Sequence, residues 1–370
     1  MTDPGAIPTD VAAFTPELLE RLVGTLNPGV TVTDFAVRRV WEWGQGEAVS
    51  TSGRLDLELT YGGSGTDLPS QVVLKIARPD LAAFPLYRNE VAAYSRVRPW
   101  EFMRSPQCLG AWFDESTGSF GLALEDLGVA GARFASAIDS PSVASLEDAV
   151  RQLARLHARH WGRRADWSGT ELSWAQSHVD GELHDLFNHP DLVPAMIVSE
   201  VRKNQHKREL VQSVGESPAS LLAKVQRVQR HQSRLPQTLV HGDCHVGNTY
   251  LLPDASMGFV DWQLSVRGYY MHDLSYLIVT GLDIEQRRAH ERRLIDLHLD
   301  ELARLGVDEG LPTSAEAFEE YRRAQAWNTY IGWLTCPVEN YGWEINVANH
   351  VRLLTAYRDL DSARAIEEIE

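Results

Sequence analysis

Hydrophobic and polar positions change rhythm twice along the chain. Residues 1–14 (MTDPGAIPTDVAAF) form a loose leader, and Thr15-Pro16-Glu17 opens a helix with Thr15 as N-cap and Pro16 in the first turn. From Val30 the period shortens toward two. VTVTDFAVRRV, RLDLELTY and QVVLKIA are strand patterns, separated by glycine-bearing breaks at Gly44/Gly46 and Gly62-Gly63-Ser64-Gly65. A helix is predicted over 83–97, with Tyr87, Val91 and Tyr94 on one face. Pro99 ends it by disfavouring helical geometry at Arg98. LGAWFDE and SFGLALED then read as a hairpin turning at Ser116-Thr117-Gly118.

Beyond Gly128–Gly131 the period lengthens. Helices are predicted over 145–160, 192–214, 219–234, 284–305, 315–334 and 345–360. Residues 239–263 interrupt them with two short apolar runs, NTYLL and MGFVDW, around a Pro-Asp turn. The chain thus divides into a sheet-rich part, residues 1–127, and a mainly helical part, residues 128–370, with no internal repeat.

Composition narrows the class. At 370 residues, 44% hydrophobic and 23% charged, the chain has an ordinary globular make-up. Its formal charge of −16 is the wrong sign for a nucleic-acid binder. Cys108, Cys244 and Cys336 lie far apart with no CxxC pair, the pattern of reduced thiols in a cytoplasmic protein. No basic-then-apolar leader is present, and no run approaches the ~18 apolar residues of a membrane span.

The chemistry concentrates in Leu239-Val240-His241-Gly242-Asp243-Cys244-His245-Val246-Gly247-Asn248. Phosphoryl transfer needs a carboxylate for the acceptor hydroxyl and oxygen ligands for the metal that neutralises phosphate charge. A kinase catalytic loop supplies them as H-x-D followed five residues later by Asn, and Asn248 follows Asp243 by five. Asp261, ending the apolar run Phe259-Val260, is the candidate metal carboxylate. Lys75 sits on an apolar strand and needs a partner, for which Glu90 is the candidate. Gly44 and Gly46 mark a turn that would cover phosphates with backbone N–H groups. LALEDL, with Glu125 and Leu127, is the expected hinge, whose backbone would meet adenine.

In this order the glycine turn, Lys75, Glu90, LALEDL, HGDCHVGN and VDWQ resemble the aminoglycoside phosphotransferase and choline kinase superfamily. LVHGDCHVGN, VDWQLS and HDLSYLI are most similar to its ecdysteroid-kinase-like branch and the bacterial relatives of that branch. The resemblance covers about residues 30–300. It implies an α+β, protein-kinase-like bilobal fold, with an antiparallel-sheet N-lobe and a helical C-lobe. It also implies an ATP- and Mg²⁺-dependent kinase acting on a hydroxyl of a small molecule. Asp243 then matches the base, Asn248 and Asp261 the metal ligands, Lys75 the phosphate-contacting lysine, and Asp273 a supporting position, such as a helix N-cap.

There are departures. Gln45 and Glu47 are not a phosphate-loop consensus. Asp-Trp-Gln replaces Asp-Phe-Gly, and Gly242 stands where a protein kinase has arginine. These point away from a regulated protein kinase. His241, Asp243 and His245 alone would also suit a metal-dependent hydrolase, and a non-catalytic binding protein of the same fold is a further alternative. His245 is a loop residue that either bonds backbone or meets the acceptor. Trp327, Tyr330, Trp333, Tyr341 and Trp343, with Glu339 and Glu344 nearby, either pack the core or line an aromatic acceptor pocket suited to cations.

Overall fold

Residues 4–369 are described by a computed structural model, apart from 42–50, 64–66, 79–80, 82, 163–166, 168, 333, 336 and the side chains of 339–341. Gly44, Gly46 and Trp333, and the side chains of Glu339 and Tyr341, therefore lie outside the described residues.

The chain separates into two units. The first comprises Met1–Arg133 and Val260–Gln263; the second comprises Phe134–Phe259 and Leu264–Glu370. In the first, α1 (Pro16–Gly24) precedes β1 (Val30–Val40), β2 (Ser52–Gly63) and β3 (Gln71–Ala77). α2 (Phe84–Ala92), β4 (Cys108–Asp114), β5 (Ser119–Glu125) and the start of the two-residue β6 (Arg133–Phe134) follow. The sheet is antiparallel, in the order β1-β2-β3-β5-β4. Period-two alternation sends Leu55, Leu57, Leu59, Val72, Leu74 and Ile76 into one core, against Leu18, Leu19, Leu22 and Val23 of α1. Gly110 permits that contact, since a Cβ there would lie 2.4 Å from the Leu22 carbonyl oxygen. Lys75, between Leu74 and Ile76, is turned to the other face.

Local signals read from sequence hold here. The Thr15 side chain accepts from Leu18 N–H, capping α1. Asp114 ties the 115–118 turn through Ser116 and Thr117, and Gly118 has φ 71°. The helix over 83–97 ends as a π-turn (Ala93–Val97), and Arg98 is left-handed at φ 53° before Pro99.

The second unit contains α3 (Val143–His160), α4 (Glu182–Asn188), α5 (Val193–Lys203), α6 (Gln205–Ser213) and α7 (Pro218–Gln232). It continues with α8 (Met271–Gly281), α9 (Ile284–Arg304), α10 (Ser314–Tyr330), α11 (Val338–Asp359) and α12 (Ser362–Glu367). Four short strands lie between α7 and α8: β7 (Thr238–Val240), β8 (Thr249–Leu251), β9 (Met257–Phe259) and β10 (Val266–Gly268). They form the ladders β10-β7 and β6-β8-β9. The expected single helix over 192–214 is two, because Asn204 is extended and its side chain bonds back to the Glu200 carbonyl oxygen. The helix ending at Asp359 starts earlier than expected and kinks at Gly342, φ 75°. α8 carries no amphipathic period because every residue in it is buried. Among the described residues no helix is long and apolar enough to cross a membrane.

Candidate active site

Residues 241–248 are held at both ends by strands. β7 delivers His241 and pairs with β10, Val240 opposite Val266, while β8 carries the chain away from Asn248. Gly242 has φ 86°, and a Cβ there would lie 1.9 Å from the Leu264 carbonyl oxygen. The position requires glycine on both counts.

Within the loop, Asn248 Nδ2 donates to both the carbonyl oxygen and Oδ2 of Asp243, each at 3.0 Å. Its Oδ1 is thereby turned away from Asp243. His241 Nδ1 accepts the Asp243 N–H at 3.3 Å, and His245 Nδ1 accepts the Gly247 N–H at 3.0 Å. Neutral His245 therefore carries its proton on Nε2, which lies 3.9 Å from Asp243 Oδ2. That is too long for a direct hydrogen bond. Thr280 of α8 accepts the Val246 N–H at 2.9 Å.

Below the loop lies Asp273. The sequence suggested a cap, but no side chain caps α8. Instead, Asp273 Oδ2 accepts the His241 N–H at 2.6 Å and Oδ1 the Gly242 N–H at 2.9 Å. Oδ2 also meets His157 Nε2 at 3.2 Å, and His157 Nδ1 meets His298 Nε2 at 2.9 Å. An ionised carboxylate only accepts, so His157 donates from Nε2 to Asp273. Burial alone would raise the Asp273 carboxyl, but the bond and charge of His157 hold it far below the usual carboxylate range. Burial holds His298 and His272 below the usual imidazole range, and neutral His272 donates from Nε2 to the Gly242 carbonyl oxygen at 3.0 Å. His157, His298, His272 and Thr280 escaped the sequence reading. A lone histidine on a buried helix face looks like any core histidine, and only the fold brings α3, α8 and α9 to one point.

The first unit holds the cationic part. Lys75 Nζ meets Glu90 Oε1 at 2.6 Å and Oε2 at 2.7 Å, and Asp261 Oδ1 at 3.4 Å. Lys75 and Glu90 are 4% and 1% exposed, so neither charge is tolerable alone. Burial pushes the Glu90 carboxyl up, Lys75 opposes this, and Asp261 adds to it. Asp261 is left-handed at φ 67°. Asn89 Nδ2, on the same helix as Glu90, donates to the Gln263 carbonyl oxygen at 2.8 Å, fixing the segment after Asp261. Glu125 ends β5, its Oε1 accepting the Gln107 N–H, and Asp126 N–H donates to the Gln71 carbonyl oxygen, so 125–126 continue the strand edge until a 3-10 turn starts at Leu127.

A family model described as the phosphotransferase enzyme family matches residues 59–306. The chain belongs to the phosphotransferase enzyme family. The match takes in Lys75, Glu90, Asp243, Asn248, Asp261 and Asp273. Among curated proteins none matches the sequence. Among solved structures, a choline kinase from Cryptosporidium parvum Iowa II is similar at TM-score 0.53 and 10% identity, over 90% of this chain and 91% of that one. An aminoglycoside phosphotransferase from Streptomyces rimosus, in complex with ADP and streptomycin, matches at TM-score 0.43 and 17% identity, over 77% and 91%. The choline kinase LicA from Streptococcus pneumoniae matches at TM-score 0.42 and 12% identity, over 87% and 95%. The first likeness establishes a kinase-like fold, with an antiparallel-sheet unit and a mainly helical unit.

The aromatic residues divide. Trp327 is buried among His178, Phe187 and His272, and lines a cleft that also includes Gly242 and Asn188. Tyr330 is buried, and Trp343 is exposed with its ring beside His206. Neither lines that cleft. Among the described residues no group of three or more His, Cys, Asp or Glu is placed to hold a metal ion. Cys108 and Cys244 are buried free thiols.

Proposed function

We propose that the chain is an ATP- and Mg²⁺-dependent O-phosphotransferase acting on a hydroxyl of a small molecule. The observation that carries this reading is the braced loop. Asp243 is anchored through Asn248, and Asp273 holds the backbone N–H groups of the two residues before it. That rigidity is what proton acceptance at a fixed point requires.

In this reading the acceptor hydroxyl gives its proton to Asp243 Oδ2 as its oxygen attacks the γ-phosphorus. Lys75, oriented by Glu90, binds the α- and β-phosphates, and backbone at 125–127 meets adenine. Asn248 Oδ1 and the Asp261 carboxylate fit Mg²⁺, because both are oxygen donors and the outward-turned amide oxygen is available to a hard cation. Bound there, Mg²⁺ would neutralise phosphate charge. The likeness to the ecdysteroid-kinase-like branch leans the acceptor toward a bulky hydroxylated metabolite. A His/Asp metal-hydrolase reading loses support, since His241 Nδ1 and His245 Nδ1 are both turned to backbone N–H groups of their own loop.

The test is Mg²⁺-dependent ATP consumption with a library of hydroxylated compounds, using Asp243→Ala as the paired variant. The variant is expected to lose at least ~10³-fold in kcat, the scale of a base combined with positioning, while its nucleotide Kd stays within about threefold. Near wild-type turnover in Asp243→Ala sinks the assignment of the base.

A further inference from the structure

Beside the loop, within the helical unit, lies a cavity of about 210 Å³. His245, Gly247, Tyr276, Ser136, Asn346 and Asn349 are among the residues that line it. Its floor is thus continuous with the segment between Asp243 and Asn248.

Three features fix what this cavity accepts. The first is the gap between His245 Nε2–H and Asp243 Oδ2, 3.9 Å across. A hydroxyl oxygen seated against both atoms donates to the carboxylate and accepts from the imidazole. The His245 tautomer is set in advance by the Gly247 N–H.

The second is the polar lining, which is amide and hydroxyl in character. Asn349 Oδ1 is buried with no hydrogen-bond partner, an acceptor waiting for a ligand donor. Among the described residues that line the cavity there is no Asp, Glu, Lys or Arg.

The third is the charge behind the wall. Arg352 donates to the carbonyl oxygens of Thr280 (2.5 Å) and Ala137 (2.6 Å), and to Ser140 Oγ (2.8 Å). Thr280 and Ala137 both line the cavity. Burial lowers the Arg352 pKa, with Asp283 opposing. A cationic acceptor would meet this like charge, and among the described lining residues there is no carboxylate beyond the neighbouring reacting Asp243 to pair it; a buried unpaired charge is costly. Three of the guanidinium donors are held by the wall, and an anionic acceptor would face the Asp243 carboxylate against which its hydroxyl must sit.

We propose that the acceptor is an uncharged alcohol bearing a second hydrogen-bond donor. Its reacting hydroxyl is clamped between Asp243 and His245, and its second donor sits on Asn349. This rests on the kinase reading above. The step balances: the hydroxyl proton goes to Asp243, a new P–O bond forms at the γ-phosphorus, and the bond to the ADP oxygen breaks.

The experiment measures ATP consumption by the full chain with three groups of acceptors. These are uncharged polyols and cyclic alcohols, the cations choline, ethanolamine and kanamycin, and hydroxy acids. Stimulation confined to the uncharged group is expected. With a stimulating compound, Asn349→Leu should raise KM about tenfold, the equivalent of one buried hydrogen bond, with kcat within twofold. His245→Ala should lower kcat. Asn349→Ser, retaining a hydroxyl, should recover part of the KM and so separates recognition from misfolding. Preference for cations or hydroxy acids, no stimulation by any uncharged compound, or an unchanged KM in Asn349→Leu overturns the inference. Loss of all Mg²⁺-dependent ATP turnover in the wild type overturns the kinase reading instead, so the two failures are distinct.

Discussion

Asp273→Asn tests the brace beneath the loop with almost no change in volume. The wild-type carboxylate takes three hydrogen bonds, from His241 N–H, Gly242 N–H and His157 Nε2–H. An asparagine amide supplies one acceptor oxygen, and its NH₂ must face one of these donors. A buried donor left unpaired costs ~1–3 kcal/mol, and a hydrogen bond to a charged group contributes ~1.5–3 kcal/mol. Together they predict a loss of about 3–5 kcal/mol at pH 7, measured by urea unfolding of the helical unit's transition. The pH dependence carries a sign. Asp273 is depressed in the folded state, so its contribution is complete above the unfolded carboxylate value of about 4 and is lost as pH falls below that toward the folded value. The gap between wild type and Asp273→Asn should therefore be constant from pH 7 to 5 and narrow on further acidification. A variant within about 0.5 kcal/mol of wild type at pH 7, or a gap that widens in acid, would refute the reasoning.

Two further outcomes follow from burial and backbone geometry. Glu90→Ala leaves the Lys75 ammonium buried, and should cost ~3–5 kcal/mol, toward the lower end because Asp261 is 3.4 Å away. Lys75→Met with Glu90→Leu should recover most of that stability in thermal unfolding while phosphotransfer stays absent, which separates fold from function. Gly242→Ala forces a left-handed non-glycine residue and a Cβ against the Leu264 carbonyl. It should lower Tm by about 2–4 °C for each kcal/mol of strain, and an unchanged Tm would mean that the loop yields freely.

What the sequence determined is local and periodic. Alternation set β1 and β3 residue for residue, and put Lys75 on the face opposite Leu74 and Ile76. Thr15, Gly118 and Pro99 each acted within a few residues, through a cap, a left-handed turn and a helix stop. The spacing of Asp243 and Asn248 was equally legible, because five residues of one loop are held by the loop's own bonds. α8 was not legible, since a helix buried on all sides has no polar stripe to count. Nor was the break at Asn204, where one side chain competes with the helix for its backbone. The remote partners were the least visible. Asp273 serves residues 31 and 32 positions upstream, and His157 reaches it from a second helix, with His298 of a third behind it. Those contacts depend on three helices converging, and no pattern along the chain records where a buried polar side chain will find its partner. The chemistry was written in the loop, and the tertiary structure decided what holds that loop still.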